Sequence, residues 1–430
     1  MKKINLFTAA SIVIANMIGT GVFTSLGFQV LEIQSVFVLL MLWVVGGVIA
    51  LCGALTYGEL GAALPRSGGE YNFLSETYHP ALGFAGGWVS ATVGFAAPTA
   101  LAAMALGKYT TAVFPIVDKT LIAVAVLAIV TWIHGNSLRA GSRFQDVFTL
   151  IKLALVVFFI FAAAFAGTKQ AITLLPQPGD LPQLLSPAFA VSLIYVSYAY
   201  TGWNAAAYIT GEMHDPQRNL PRALFRGTLA VMLLYVLLNF SFLLTSPIPD
   251  LAGQEEVGYI SAVHIFGQLG GSIMALIISL LLVSTVSAMV MAGPRVLMVI
   301  GEDFGLFRFL SVKKSNGVPA RAIYFQSAIS LIFILTGSFE RVLVFAGFVL
   351  AVVTFLTVSG IFVLRWKAPD LPRPYKTWGY PFTPLLFLVL VGWTLALLLI
   401  NKPTESLAGL AIIAAGLAAY PFSRRVVSFS

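Results

Sequence analysis

Two short segments of this sequence place glycine beside hydroxyl-bearing or aromatic residues inside long uncharged stretches. The first, Met17-Ile18-Gly19-Thr20-Gly21-Val22-Phe23, lies in a stretch without Asp, Glu, Lys or Arg that runs from residue 4 to 31. Each glycine weakens a helix by about 1 kcal/mol relative to alanine. At membrane depth, the N–H and C=O groups that such a break frees must line a cavity or bind something.

The second segment, Tyr198-Ala199-Tyr200-Thr201-Gly202-Trp203-Asn204, lies in the uncharged stretch 181–211. The two breaks are about 180 residues apart, and each opens a group of five uncharged stretches. Glycine-interrupted helices at matching places in two halves indicate a transporter binding site. The alternative is that these glycines are packing contacts between membrane helices.

The breaks suggest a ligand class. The start of a half-helix presents free N–H groups and a positive dipole end, which suit a carboxylate. The end of a half-helix presents carbonyl groups, which suit an ammonium group. One unwound segment can therefore hold both ends of a zwitterion, and an α-amino acid is the natural candidate. Neither break contains a charged side chain.

Lys152 is the ionisable residue that stands out within the spans, in Phe148-Thr149-Leu150-Ile151-Lys152-Leu153-Ala154. A charge at membrane depth costs about 2.5–3.5 kcal/mol on insertion scales and usually marks a functional residue. The alternative is that its side chain extends to the cytoplasmic face. We expect Glu59 to be a structural group at a cytoplasmic helix end, and Glu212 and Arg218 to anchor the inner end of the second broken helix.

The four histidines give no clear signal of proton transfer. His79 and His134 lie near the ends of uncharged stretches, and His264 lies in the lead-in to a later one. We expect His79 and His134 to be interfacial, and none of the three has an obvious partner.

The elements that must position the breaks are membrane helices. The 430 residues are 59% hydrophobic and only 10% charged, against about 25% charged in a soluble domain. A spanning helix needs about 20 apolar residues, and Lys152 interrupts one of the candidate stretches. These twelve predicted spans are 4–31, 33–58, 77–107, 120–138, 147–168, 181–211, 227–249, 257–294, 322–339, 342–364, 377–401 and 406–423.

The basic residues orient these spans. Of the 25 lysines and arginines, eighteen lie in one alternate set of loops together with the two termini, and five lie in the opposite loops. The positive-inside rule therefore places both termini in the cytoplasm. The stretch 257–294 counts as one span with an external lead-in, because two spans would destroy this asymmetry. The net charge of +8 lies along the cytoplasmic membrane face, so nucleic acid is not needed to explain it.

Other function classes find little support. The single cysteine, Cys52, excludes an intramolecular disulfide and metal sites built on cysteine pairs. Four scattered histidines argue against a membrane enzyme, and we find no charged ring or repeated filter of the kind that channels use. We expect no metal and no cofactor.

The chain resembles the amino acid–polyamine–organocation superfamily, closest to bacterial relatives of the L-type amino-acid transporters. Both break segments match it. The most specific match is Gly211-Glu212-Met213-His214-Asp215-Pro216-Gln217-Arg218-Asn219-Leu220-Pro221-Arg222-Ala223. Met291-Ala292-Gly293-Pro294-Arg295 and Arg373-Pro374-Tyr375-Lys376 also fit. The resemblance implies an all-α membrane protein of twelve helices in the LeuT-like 5+5 inverted repeat, with helices 1 and 6 discontinuous. The single domain 1–430 would comprise the repeats 4–168 and 181–366, followed by helices 11 and 12 in 377–425.

The resemblance also implies a substrate site at the breaks. Its members would be Met17, Ile18, Gly19, Thr20, Gly21, Tyr198, Ala199, Thr201 and Gly202. Thr20 and Gly21 would hold the carboxylate. The amino group would meet the carbonyls of Met17 and Ile18, with Tyr198, Ala199 and Thr201 on helix 6. Tyr198 would also be an outer gate, and Asn204 would link broken helix 6 to its surroundings.

A helix 5 lysine in this superfamily fills the place of a sodium ion and ties helix 1 to helix 8. Lys152 would therefore meet Ser284 and Ser287, and transport would not need sodium. No cysteine is placed to form a disulfide with a heavy chain.

We predict a secondary transporter of neutral L-amino acids in the lipid of the cytoplasmic (inner) membrane. Exchange is favoured on the family placement, proton symport is the rival mode, and polyamines or cationic amino acids are the rival substrates.

Overall fold

The computed structural model describes residues 3–136, 142–167 and 169–423, and for residues 142–146 it describes the backbone alone. Lys2, Arg139, Arg424 and Arg425, which entered the prediction of orientation, lie outside this part of the chain, as does the side chain of Arg143. The predicted ends of spans 4 and 5, at 138 and 168, also lie outside it.

The described residues are helical, apart from loops and one isolated β-bridge between Ile4 and Met213. The α-helices of the first half are α1 Leu6–Met17, α2 Gly21–Gln29, α3 Val36–Ala63, α4 Glu70–Thr77, α5 Pro80–Val89, α6 Ala96–Val113, α7 Lys119–Asn136, α8 Ser142–Ala164 and α9 Asp180–Leu184. A π-helical turn, Ser90–Gly94, joins α5 to α6.

The second half continues the same architecture. Its α-helices are α10 Pro187–Ala199, α11 Pro216–Thr245, α12 Ile248–Leu251, α13 Val257–Asp303, α14 Ala320–Thr336, α15 Phe339–Lys367, α16 Phe382–Asn401 and α17 Pro403–Ala419. Short 3₁₀ helices cover Ala205–Glu212, Gly305–Leu310 and Tyr420–Phe422.

Ten of the described helical segments are long and apolar enough to cross a membrane, counting α1 with α2 and α5 with α6. Two shorter apolar helices, α10 and α14, accompany them. In α13 the backbone of Gly267 is non-helical, at φ 73° and ψ 179°. This interruption separates a short lead-in, 257–266, from the longer remainder, as the interpretation of one span with a lead-in requires.

Local sequence explains where the helices next to the breaks begin. Asn5 caps α1 by accepting from the Thr8 N–H at 2.9 Å, and Ser186 caps α10 by accepting from the Phe189 N–H at 3.2 Å. Pro187 follows as the first residue of α10, where its missing N–H costs nothing. These caps fix α1 and α10, whose far ends are the two breaks.

Aromatic packing supports the breaks from behind. The Trp43 ring on α3 lies edge-on to Tyr235 on α11, with centroids 5.7 Å apart, and Tyr200 lies 5.1 Å from Tyr235. The Tyr200 hydroxyl donates to the Trp43 carbonyl at 2.9 Å. All three side chains are buried, so a closely packed aromatic cluster lies behind the breaks.

Candidate functional site

The first predicted break is present between α1 and α2. Helix α1 ends at Met17, Ile18 leaves the helical region at φ −73° and ψ 88°, and α2 begins at Gly21. Met17, Ile18 and Thr20 are buried. Because the first N–H groups of a helix have no partner within it, the start of α2 presents donors at the centre of the protein.

The second break follows α10. Helix α10 ends at Ala199, and the chain resumes as a 3₁₀ helix at Ala205. Gly202 has φ +99°, and a Cβ there would lie 2.8 Å from the carbonyl carbon and oxygen of Asn16. Conformation and space therefore both require glycine at this position. The predicted second discontinuity is observed, and it packs directly against the end of α1.

The two breaks meet. A Cβ on Gly21 would lie only 2.5 Å from the Cα of Ala199, so α2 and α10 touch backbone to backbone. The Tyr235 hydroxyl lies 2.5 Å from the Met17 carbonyl and 3.2 Å from the Ala199 carbonyl. It thus joins the last residues of α1 and α10. Sequence reasoning missed Tyr235, because nothing marks its position in an apolar helix.

Lys152 is 3% exposed, so its side chain does not extend to the membrane surface. Its Nζ donates to Thr285 Oγ1 at 2.7 Å, and the expectation that it would meet Ser284 and Ser287 is wrong. Successive residues of a helix differ by about 100° in direction, and the face of α13 that meets Lys152 carries Thr285. A Cβ on Gly19 would lie 3.8 Å from Thr285 Cγ2, so Thr285 stands between Lys152 and the first break.

The two serines have other surroundings. Ser287 Oγ lies 2.7 Å from His134 Nε2, while Ser284 Oγ is buried with no hydrogen-bond partner in the described residues. His134 is 7% exposed, so the expectation of an interfacial histidine without a partner is wrong. It lies in the last turn of α7, and Lys314 Nζ holds this end of the helix by donating to the Gly135 carbonyl at 2.8 Å.

Asn204 links the second break to a buried carboxylate that sequence reasoning did not identify. Its Nδ2 donates to Glu70 Oε1. Tyr208 donates to Glu70 Oε2 at 2.5 Å, and Tyr57 donates to Glu70 Oε1 at 3.1 Å. Glu70 is 5% exposed. The one sequence signal near Glu70 is the preceding glycine pair, Gly68 and Gly69, which both adopt positive φ.

The other expected polar groups hold the surrounding helices together. Glu59 is 1% exposed; it accepts from Arg365 Nη2 at 2.8 Å and from the Thr377 N–H at 2.7 Å. It therefore joins α3, α15 and the segment before α16, as a structural group would. Arg218 forms an exposed contact with Asp215 at 4.0 Å, which contributes little. The end of the second broken helix at Glu212 is held instead by Ile4, whose N–H donates to the Glu212 carbonyl at 2.9 Å.

No group of three potential metal ligands occurs among the described residues. The two breaks offer backbone groups and hydroxyl groups, with the Lys152 side chain nearby. Such an arrangement can hold a small polar molecule end-on.

Comparisons with known proteins identify the family. The family model described as "Amino acid permease" matches residues 4–418. The rat "Large neutral amino acids transporter small subunit 2" (Rattus norvegicus) is 30% identical over 444 residues, which cover 97% of this chain and 80% of the relative. The mouse "Asc-type amino acid transporter 1" (Mus musculus) is 27% identical over 448 residues, covering 96% and 80%.

The human "b(0,+)-type amino acid transporter 1" (Homo sapiens) is 29% identical over 412 residues, covering 94% of this chain and 84% of the relative. These matches confirm the resemblance stated from the break segments and exclude the membrane-enzyme reading. The chain therefore belongs to the amino acid permease family of the amino acid–polyamine–organocation superfamily, and it is a multi-pass membrane transporter.

Proposed function

We propose that this protein exchanges neutral L-amino acids across the cytoplasmic membrane by alternating access, without sodium. The observation that carries the proposal is the meeting of two broken helices at Gly21 and Ala199. N–H groups at the start of α2 suit a carboxylate, and carbonyls at the ends of α1 and α10 suit an ammonium group. The name of the rat relative, which specifies large neutral amino acids, supports the substrate class.

Each predicted residue then has a proposed role. Thr20 and Gly21 bind the carboxylate, and the carbonyls of Met17 and Ile18 bind the amino group. The rest of the proposed site is Gly19, Tyr198, Ala199, Thr201 and Gly202, with Tyr198 also closing the external side. Asn204 carries the movement of the second break to Glu70, through the hydrogen bond described above.

Lys152 supports independence from sodium. Its ammonium, fixed on Thr285 beside Gly19, supplies a positive charge between α8, α13 and the first break. We propose that this charge replaces a coupling ion there. Thr285 takes the coupling role that Ser284 and Ser287 do not fill.

Twelve crossings in a 5+5 inverted repeat, with both termini cytoplasmic, complete the proposal. The two shorter apolar helices α10 and α14 would supply the crossings beyond the ten long segments. The rat relative is named a small subunit. Here the only cysteine, Cys52, is buried in α3, so we propose no disulfide to a partner chain.

Counterflow in proteoliposomes tests the function. Labelled L-alanine should enter vesicles loaded with unlabelled L-alanine, equally well in sodium and in choline chloride. Empty vesicles should take up little. Preferential counterflow of arginine or putrescine would contradict the substrate class, and a requirement for sodium would contradict the role of Lys152.

Proton symport is a second candidate mode, because one observation favours it. His134 on Ser287 and Lys152 on Thr285 lie two positions apart along α13, both buried. His134 of α7 and Lys152 of α8 are thus two buried titratable groups that contact α13 from different helices, and either could take up the proton. Uphill uptake into empty vesicles, driven by a pH gradient alone, would establish symport and contradict obligatory exchange.

A further inference from the structure

One turn before it ends at the break, α10 is tied to two other elements by one carboxylate. Tyr195 on α10 donates its hydroxyl to Glu340 Oε1 at 2.7 Å. Lys402, in the turn between α16 and α17, donates its Nζ to the same oxygen at 2.8 Å. Tyr195 is 5% exposed, whereas the side chains of Glu340 and Lys402 are each 34% exposed. The contact therefore lies at the boundary between the packed interior and solvent.

Helix α2 joins the same place through an aromatic ring. Phe28 lies 5.7 Å from the Tyr195 ring and is stacked on Phe339 at 6.0 Å with an interplanar angle of 12°. Ser25 Oγ donates to the Tyr195 carbonyl at 3.2 Å. The second half of one broken helix and the first half of the other are thus fastened together, and both are fastened to the start of α15.

We propose that Tyr195, Glu340 and Lys402 form an outer latch that holds α10 and α2 against α15 and the α16–α17 turn, and that opens when the substrate site faces the outside. The inference rests on the proposed alternating access. Helix α10 ends at Ala199, and the chain resumes as a 3₁₀ helix only at Ala205. Because no continuous helix joins α10 to the segment that follows, the proposed movement turns α10 at this break while α15 stays in place. Opening must then separate the Tyr195 hydroxyl from Glu340.

The charge arrangement suits a contact that opens and closes. Glu340 is partly solvated, so water can replace the Tyr195 hydroxyl when the latch opens, and Lys402 keeps the carboxylate paired. A hydrogen bond to a charged group shifts an equilibrium by about tenfold or more. The simpler explanation is that Glu340 is only a favourable acid in the first turn of α15. That role would not connect it to Tyr195, 145 positions away along the chain.

Hydrogen–deuterium exchange of the full chain in nanodiscs tests the latch without any substrate. Tyr195→Phe removes one hydroxyl and keeps the ring that packs on Phe28. We expect amide exchange in 21–29 and 187–199 to rise by about tenfold, with no change in 216–245. Tyr259→Phe is the matched control, since its hydroxyl accepts only a local hydrogen bond from Gln268 at 2.8 Å.

A double-mutant cycle separates the latch from general loosening. Glu340→Ala should raise exchange in the same two segments at least as much as Tyr195→Phe, because it also removes the Lys402 contact. The double variant should exchange no faster than Glu340→Ala alone, because the Tyr195 hydroxyl has then already lost its acceptor. Unchanged exchange in 21–29 and 187–199, or a rise that is equal in 205–212 and 216–245, would overturn the latch.

Transport then tests sidedness. In sided proteoliposomes, Tyr195→Phe should lower the external KM for L-alanine by several-fold and leave the internal KM unchanged. Equal changes on both sides would overturn the proposal. Because the exchange experiment needs no substrate, a failure of the proposed amino-acid transport would be visible separately from a failure of the latch.

Discussion

Gly21→Ala tests the contact on which the site depends. The new Cβ would lie 2.5 Å from Ala199 Cα and 2.7 Å from Ala199 Cβ. Carbon atoms approach favourably only to about 3.5–4.0 Å, so α2 and α10 would have to separate by about 1 Å. No side-chain rotation can relieve the overlap, because the obstructing atoms belong to the backbone and Cβ of Ala199. The strain lies at the point where both breaks meet.

The expected cost follows from overpacking, which is typically about 1–3 kcal/mol. Any step that requires the closed arrangement should slow by about 5- to 150-fold. Counterflow of labelled L-alanine measures the rate, and thermal unfolding in the same detergent measures stability. Gly392→Ala on α16 is the control, because its new Cβ would meet only Phe355 ring carbons at 3.4 and 4.0 Å. A Gly21→Ala variant with the transport rate of the unchanged protein would refute the reasoning.

Three further predictions concern Thr285, Tyr235 and Glu255. Thr285→Val should impair counterflow by about tenfold or more because Lys152 loses its acceptor, whereas Ser284→Ala should have little effect; the reverse order would contradict the Lys152 contact. Tyr235→Phe should lower the unfolding free energy by about 1 kcal/mol, measured by denaturation, since its hydroxyl joins α1 to α10. Burial raises the pKa of Glu255, in the loop before α13, despite nearby Lys119 and Lys108. Because the folded pKa is raised, its favourable contribution is complete at low pH and is lost as pH rises through that pKa. Glu255→Gln should therefore raise the melting temperature at pH 7, with the gain vanishing near pH 4, and a gain independent of pH would contradict this assignment.

The breaks could be predicted because their signal is local. Paired or isolated glycines in an uncharged stretch weaken the helix wherever it packs. Gly202 shows why the residue type was informative, since both its φ of +99° and its approach to Asn16 exclude a side chain. A local signal also singled out Lys152, because an ionisable side chain at membrane depth is costly and usually functional.

The partners could not be predicted because they depend on helix rotation and on contacts between distant parts of the chain. Ser284, Thr285 and Ser287 all lie on one stretch of α13, and only its rotation about its own axis decides which of them meets Lys152. Glu70 becomes buried only when Tyr57 and Tyr208, from two other elements, close over it. His134 lies near the end of an uncharged stretch of sequence, but its side chain is buried where α7 packs against α13.

In the proposed site, the two breaks bind both ends of a neutral amino acid. The most direct measurement is binding to the purified protein, by thermal shift or scintillation proximity, of L-alanine beside propionate and ethylamine, which each lack one end. We predict that L-alanine stabilises the protein and that neither fragment does so at tenfold higher concentration. Binding of ethylamine or putrescine as strong as that of L-alanine would contradict the claim, because the carboxylate site at Thr20 and Gly21 would then contribute nothing.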